Sequence, residues 1–316
     1  MSPGPAIAYM IVALAACGGA RPAGETASDG PGVATLATGQ GYPISITCDG
    51  TSVFWTNHLG GEVVALTPGG APRVLADHQD YPLGIAVDHD DVYWTTLNGG
   101  TIARVAKSGG TPVTLAHGQF GPTGIAVDDS HAYWTNTYAG TVMKVAKTGG
   151  APIRLAAKQP GPAEIAVAAG AVYWTNHGTP ELADGSVMRL AGDAAPVAIA
   201  TAQASPQGIA VDAGAVYWTD HGNPPRLDGA VMTAALDGSA PTVLVAGQRG
   251  AQDLAIDATS VYWSNEAEGS VNRVARRGGT PSSLATNQQR PYGVCVDQSY
   301  VYWLAYRDGS VKRAAR

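Results

Sequence analysis

The sequence predicts an all-β fold, and three observations carry that prediction. Seven tryptophans, at positions 55, 94, 134, 174, 218, 263 and 303, recur about every 40 residues. Each interval holds four short apolar segments rich in Val, Ile, Tyr and Trp, separated by Gly, Pro and Asp. One such segment is missing from the last interval and present ahead of the first. The pattern specifies a seven-bladed β-propeller with four antiparallel strands per blade, the N-terminal strand completing the last blade.

The strands follow in order through each repeat. Strand A comes from P-x-G-I-A-V-D, strand B from V-Y-W-T-N, strand C from G-T-V-x-K-V, and strand D from G-G-x-P-x-x-L-A-x-x-Q. A four-stranded sheet with two apolar faces cannot bury both alone, so neighbouring sheets stack and the stack closes into a ring. The Gly pairs at 109–110, 149–150 and 278–279 precede strand D, where the turn needs conformations that a Cβ disfavours. The Asp that ends most A strands (Asp49, Asp88, Asp128, Asp212, Asp257, Asp297) is expected to hold turn amides rather than a ring of metal.

The displaced strand is GVATLATGQ, residues 32–40, because the last repeat stops at Arg316 after strand C. Gln40, Gln79, Gln119, Gln159, Gln203, Gln248 and Gln288 each stand three residues before the start of the next A strand, which confirms seven D strands. Closure makes blades 1 and 7 neighbours, and each carries a cysteine in strand A. Cys48 and Cys295 sit one register position apart, so strand alternation points one forward and the other backward around the ring. The expectation is a Cys48–Cys295 disulfide, against the alternative of two buried free thiols.

Residues 6–16 (AIAYMIVALAA) are an apolar run too short to span a bilayer and of the length of a signal-peptide core. The run ends in Leu14-Ala15-Ala16-Cys17, which resembles a bacterial lipobox, with Cys17 the lipidated residue; no Lys or Arg precedes it. The expected organisation is a signal peptide over 1–17, a flexible tether over 18–32 and a propeller over 33–316. The expected location is the periplasm or cell surface, with the membrane reached through the lipid alone. A net charge of −6 and a pI near 5.6 argue against a phosphate-neutralising nucleic-acid surface. Two Phe against seven Trp and thirteen Tyr reflect the repeated motif rather than a generic core.

Tyr93-Trp94-Thr95, Tyr133-Trp134-Thr135, Tyr173-Trp174-Thr175 and Tyr217-Trp218-Thr219-Asp220 resemble the YWTD repeats of lipoprotein-receptor propellers. The P-x-G-I-A-V-D lead-in resembles NHL and streptogramin-lyase repeats. Two departures from YWTD propellers stand out. Those propellers have six blades, and the fourth motif residue here is Asn at 57, 136, 176 and 265, with Asp only at 220. Resemblance to streptogramin lyases implies a magnesium-dependent lyase with a Glu-x-His pair, yet no Glu in this chain is followed two residues later by His. A gluconolactonase-like metal set drawn from Glu164, Asn176, Asp220 and Asp253 is the other enzymatic option. No Gly-x-Ser-x-Gly elbow, phosphate-binding loop or His-Glu-x-x-His occurs.

Function is sought where the repeats stop agreeing. The residue three after each Trp opens the B–C loop: His58, Leu97, Thr137, His177, His221, Glu266 and Tyr306. The Gly of strand A varies as Ser45, Gly84, Gly124, Glu164, Gly208, Asp253 and Gly293. The B–C loops of blades 4 and 5, spanning 177–186 and 221–230, are longer than the others and carry Pro180, Pro224 and Pro225. These departures gather on one arc of one face. Glu164, His177, His221, Asp253 and Glu266, with His58 at the same loop position of blade 1, are therefore the candidate ligand or metal residues. Such a set can hold calcium, magnesium or zinc, or pair a His base with a carboxylate. The bland alternative is a duplication of blades 4 and 5 that copied loop and His together. The expected activity is binding of a protein, peptide or glycan by a monomer, with a metal-dependent lyase or lactonase as the alternative and no catalytic residue assigned.

Overall fold

A computed structural model describes residues 32–179, 182–223, 228–239 and 241–316. Seven four-stranded antiparallel sheets are arranged as blades, with no helix among the described residues. Blade 1 runs from strand A at Pro43–Cys48 through Val53–Asn57 and Glu62–Leu66 to strand D at Arg73–Ala76. The A strands of blades 2 to 7 are Pro82–Val87, Pro122–Val127, Pro162–Ala168, Pro206–Val211, Ala251–Ile256 and Pro291–Val296. Consecutive A strands pack side by side around the centre, and the last returns to the first. Ala34–Ala37 pairs antiparallel with Ser310–Ala315 and supplies strand D of blade 7, so the ring closes as the sequence predicts. The Cys17 lipobox, Pro180, Pro224 and Pro225 lie outside the described residues.

The repeated residues explain the ring. Each Trp is fully buried between blades. Its indole N–H donates to the Gln that enters the same blade, in all seven copies at 2.9–3.1 Å. A buried indole N–H needs such a partner. The motif Thr reaches onward: Thr56, Thr95, Thr175 and Thr219 donate at 2.6–2.8 Å to carbonyls of the next blade's A strand, and Thr135 does the same. One turn of sequence thus ties each blade to its own crossover and to its neighbour.

The end of the molecule with the A–B and C–D turns is nearly identical from blade to blade. All six of the predicted Asp side chains accept two turn amides each. Four also take a cation from the following blade: Lys107 on Asp49, Lys147 on Asp88, Arg276 on Asp212 and Arg316 on Asp257. These aspartates are staples between blades.

Cys48 and Cys295 meet across the closing blades in one apolar cluster with Trp55 and Tyr302. They meet as free thiols, so the expected bond is not formed in the structure. Burial, then the hydrogen bond to Cys48, pushes the Cys295 thiol well above its ordinary range. Juxtaposition comes from the fold, whereas the bond depends on the surrounding redox poise.

Candidate functional site

The opposite end carries the B–C loops and the D–A crossovers. One backbone bond builds it seven times. The residue opening each B–C loop donates its N–H to the carbonyl of the residue just before strand A: His58 to Tyr42, Leu97 to Tyr81, Thr137 to Gly121, His177 to Gly161, His221 to Ser205, Glu266 to Gly250 and Tyr306 to Arg290. Loop and crossover side chains are thereby brought side by side around the mouth of the central channel. The second residue of strand A completes the ring there. Its seven versions are Ile44, Leu83, Thr123, Ala163, Gln207, Gln252 and Tyr292.

The mouth has two halves. From blade 7 through blade 3 it is apolar: Ile44, Leu83, Leu97 and Tyr306 form one buried cluster, with Tyr138 and Tyr292 packed against it. Tyr306 stacks edge-on to Tyr42 at 5.1 Å and tilts against Tyr292 at 5.2 Å. His58 meets the edge of Tyr81 at 4.9 Å, and Phe120 that of Tyr138 at 5.3 Å.

From blade 4 to the edge of blade 7 the mouth is polar. His177 Nε2 lies 3.0 Å from Gln207 Oε1. Burial first, and the nearby His221 as well, lowers the His177 pKa to about 4, so its imidazole is neutral at pH 7. His221 Nε2 is 3.8 Å from Glu266 Oε2, and its Nδ1 faces the Gly222 carbonyl at 3.3 Å. Glu266 also accepts from Gln252 at 2.9 Å and forms a two-pronged pair with Arg290. Burial alone would raise the Glu266 carboxyl; hydrogen bonding from His221, the Arg290 charge and Gln252 outweigh it and hold the pKa at about 2.

Below the mouth, the two acidic departures from Gly project toward the channel. The position is Gly in most blades because adjacent A strands run too close for a side chain. A Cβ on Gly124 would stand 2.9 Å from Glu164 Cα and 3.0 Å from Glu164 Oε2, and one on Gly208 would stand 3.0 Å from Asp253 Oδ1. Each acid therefore leans into the space left by the glycine of the preceding blade. Burial, then the charge of Asp253, pushes Glu164 up to about 8. Burial likewise pushes Asp253 up to about 6, although its two oxygens accept the Leu254 and Val294 amides, at 2.8 and 2.9 Å. At neutral pH the pair holds a proton between them.

The candidates thus separate into two sets rather than one: His177, His221 and Glu266 at the mouth, Glu164 and Asp253 beneath. No group of three or more His, Cys, Asp and Glu side chains converges for a metal among the described residues. Asp253 already spends both oxygens on backbone amides, which is a poor donor set for a divalent ion. His58 stands apart in blade 1, buried, with Nδ1 3.2 Å from the Pro82 carbonyl and its pKa lowered by burial. Asn176 is committed elsewhere, donating to Gln159 and Ser186 at 3.0 and 3.1 Å. Asp220 occupies the equivalent position in blade 5, so neither joins Glu164 and Asp253.

Sequence reasoning passed over the residue before strand A. All seven copies have positive φ: Gly121, Gly161 and Gly250 at 68–72°, and Tyr42, Tyr81, Ser205 and Arg290 at 55–59°. The same search for departures from Gly that found Glu164 and Asp253, applied three residues earlier in the repeat, picks out Tyr42, Tyr81, Ser205 and Arg290. All four lie on the mouth.

No family model matches the chain, and no curated protein matches it by sequence. Solved structures match in shape. Virginiamycin B lyase from Staphylococcus aureus superposes with a TM-score of 0.74 at 15% identity, over 90% of this chain and 98% of the other. A propeller in the nidogen/laminin complex matches with a TM-score of 0.61 at 18% identity, over 75% and 95%. Regucalcin from Agrobacterium tumefaciens, a calcium-binding protein, matches with 0.56 at 14%, over 74% and 89%. At these identities the likeness is one of fold, shared by a lyase, a protein of a complex and a calcium-binding protein.

Proposed function

We propose that this chain is an exported, lipid-anchored binding protein whose propeller engages a partner through the face carrying the B–C loops. One observation carries this reading: the two ends of the ring differ in repetition. The turn end uses the same Asp-capped turn in six blades. At the mouth end the residue opening the B–C loop takes five identities around the ring, from Leu97 to His221 to Tyr306. Packing rewards repetition; recognition needs individual side chains on a rigid scaffold. Deleting 178–183 and 222–227 should leave the melting transition in place and abolish capture of a partner from envelope extract. A wild-type domain that captures nothing counts against the reading. The anchor is tested separately: Cys17→Ser should move the protein from the membrane to the soluble fraction.

A second reading, a lyase or lactonase, is favoured by Glu164 and Asp253. A carboxyl raised to about 8 beside one raised to about 6 gives a proton donor and an acceptor within electrostatic reach of each other. Saturable turnover of a lactone or cyclic depsipeptide, lost in Glu164→Gln, would move the assignment to an enzyme.

A further inference from the structure

Three large aromatic or phenolic rings are exposed among the described residues: Tyr42 at 42%, Tyr81 at 39% and Phe120 at 64%. All three lie on the mouth end, in the crossovers entering blades 1, 2 and 3, one per blade. Of the other exposed apolar side chains, Val74, Val113, Ile153, Val197 and Val243 belong to the outer strands, and Leu59 and Leu182 to the B–C loops of blades 1 and 4. Each of the three rings packs edge-on against a neighbour, Tyr306, His58 and Tyr138 in turn, and still leaves much of its surface in water on one arc.

Two of the rings also carry a backbone cost. Tyr42 and Tyr81 hold φ of 59°, where three sister blades use Gly. A non-Gly residue in this region is strained. Positive φ by itself does not mark a contact, because Ala202 and Lys158 adopt it three residues earlier in the crossover. What sets the tyrosines apart is that the strained residue is also the exposed ring.

A third observation points inward. The Tyr306 hydroxyl is buried without a hydrogen-bond partner, in a side chain only 3% exposed, at the centre of the same wall. A buried phenol left unsatisfied has given up its hydrogen bonds to water and gained none in return. A ligand hydroxyl within reach of it would supply the missing partner.

Charge narrows the class of ligand. Within the mouth, Glu266 and Arg290 neutralise each other, and the remaining polar groups of the mouth's upper ring include Gln207, Gln252, three histidines and two threonines. Amides and neutral imidazoles both donate and accept, which suits hydroxyls. Ile44, Leu83 and Leu97 are already buried against Tyr306, so the centre is filled rather than left open for an apolar side-chain anchor. What is offered is ring faces on one side and neutral hydrogen-bonding groups on the other. Pyranose rings match this pattern, with a C–H face that stacks on aromatics and an equatorial rim of hydroxyls.

We infer that the ligand of this face is a neutral saccharide chain, stacked on Tyr42, Tyr81 and Phe120 and hydrogen-bonded by Gln207, Gln252 and the Tyr306 hydroxyl. The inference rests on the partner-binding reading above and goes further in naming the chemistry and moving its centre from the blade 4 and 5 loops to blades 1–3.

The test uses the purified chain on a printed array of neutral oligosaccharides, with a displayed random-peptide library run in parallel. Tyr42→Gly and Tyr81→Gly are compared with wild type, because Gly fits the backbone at both positions. Glycan binding that weakens about tenfold in each variant, with an unchanged melting transition, is the expected result. Peptide capture alone, with the same tyrosine dependence, overturns the saccharide and leaves the binding face standing. Glycan capture that ignores both tyrosines and fails on loop deletion overturns the placement. Capture of neither class sinks both proposals.

Discussion

Replacing Asp220 by Asn should make the protein more stable above neutral pH and leave it unchanged in mild acid. In four blades the residue at this position is Asn, whose Nδ2 donates to the crossover Gln at 2.9–3.0 Å: Asn57 to Gln40, Asn136 to Gln119, Asn176 to Gln159 and Asn265 to Gln248. Gln203 takes the Trp218 indole in the same way in blade 5, and a carboxylate has nothing to donate to it. Asp220 is 7% exposed, and its Oδ1 has no partner. Burial pushes its pKa from 3.8 up to about 7, against the weaker pull of hydrogen bonds from Trp218 and Ala204. A protonated Asp220 restores the donor that Asn supplies elsewhere.

The sign follows from the direction. The folded state holds the proton more tightly than the unfolded chain, so no stability is lost below about pH 4, and loss accumulates as pH rises to about 7. At about 1.4 kcal/mol per tenfold change in proton affinity, the ceiling is about 4 kcal/mol. Local relaxation trims this, and a gain of about 2–4 kcal/mol at pH 8 is expected for Asp220→Asn, with about zero at pH 4. Urea unfolding of both proteins from pH 4 to pH 9 measures it. Parallel stability profiles across that range would show that Asp220 is ionised in the fold, and the reasoning from the four Asn blades would fail.

Two further outcomes test the frame. Gln119→Leu removes the acceptor of both the Trp134 indole and the Asn136 amide, leaving two buried donors unpaired; a loss of about 2–4 kcal/mol is expected, read by urea midpoint. Oxidation of the purified protein should join Cys48 to Cys295 and raise stability by about 4–5 kcal/mol relative to the reduced form, since the bond closes nearly the whole ring. Intact mass showing two free thiols after oxidation would sink that expectation.

The frame was legible in the sequence because its signals are repeated. Seven Trp, seven Gln and six Asp each do the same physical work wherever they recur, so each position reports on the others. The Gln count that fixes strand D turns out to be the indole acceptor itself. The site was legible only as far as departures from repetition could show it. Glu164 and Asp253 stood out because each replaces Gly where neighbouring backbones nearly touch. Their separation from His177 and Glu266 was not legible, because it depends on depth along the channel, a dimension that spacing along the chain does not encode.

Tyr42 and Tyr81 were missed for a different reason. A residue before proline is ordinarily extended, so nothing in the local sequence announces a left-handed conformation at that position. The conformation comes from the crossover. Its carbonyl must turn to accept the N–H of the B–C loop, as it does in every blade. Gly121, Gly161 and Gly250 meet that demand without strain, and the two tyrosines meet it at a cost. A side chain standing where sister blades use glycine is therefore the mark shared by the channel acids and by Tyr42 and Tyr81.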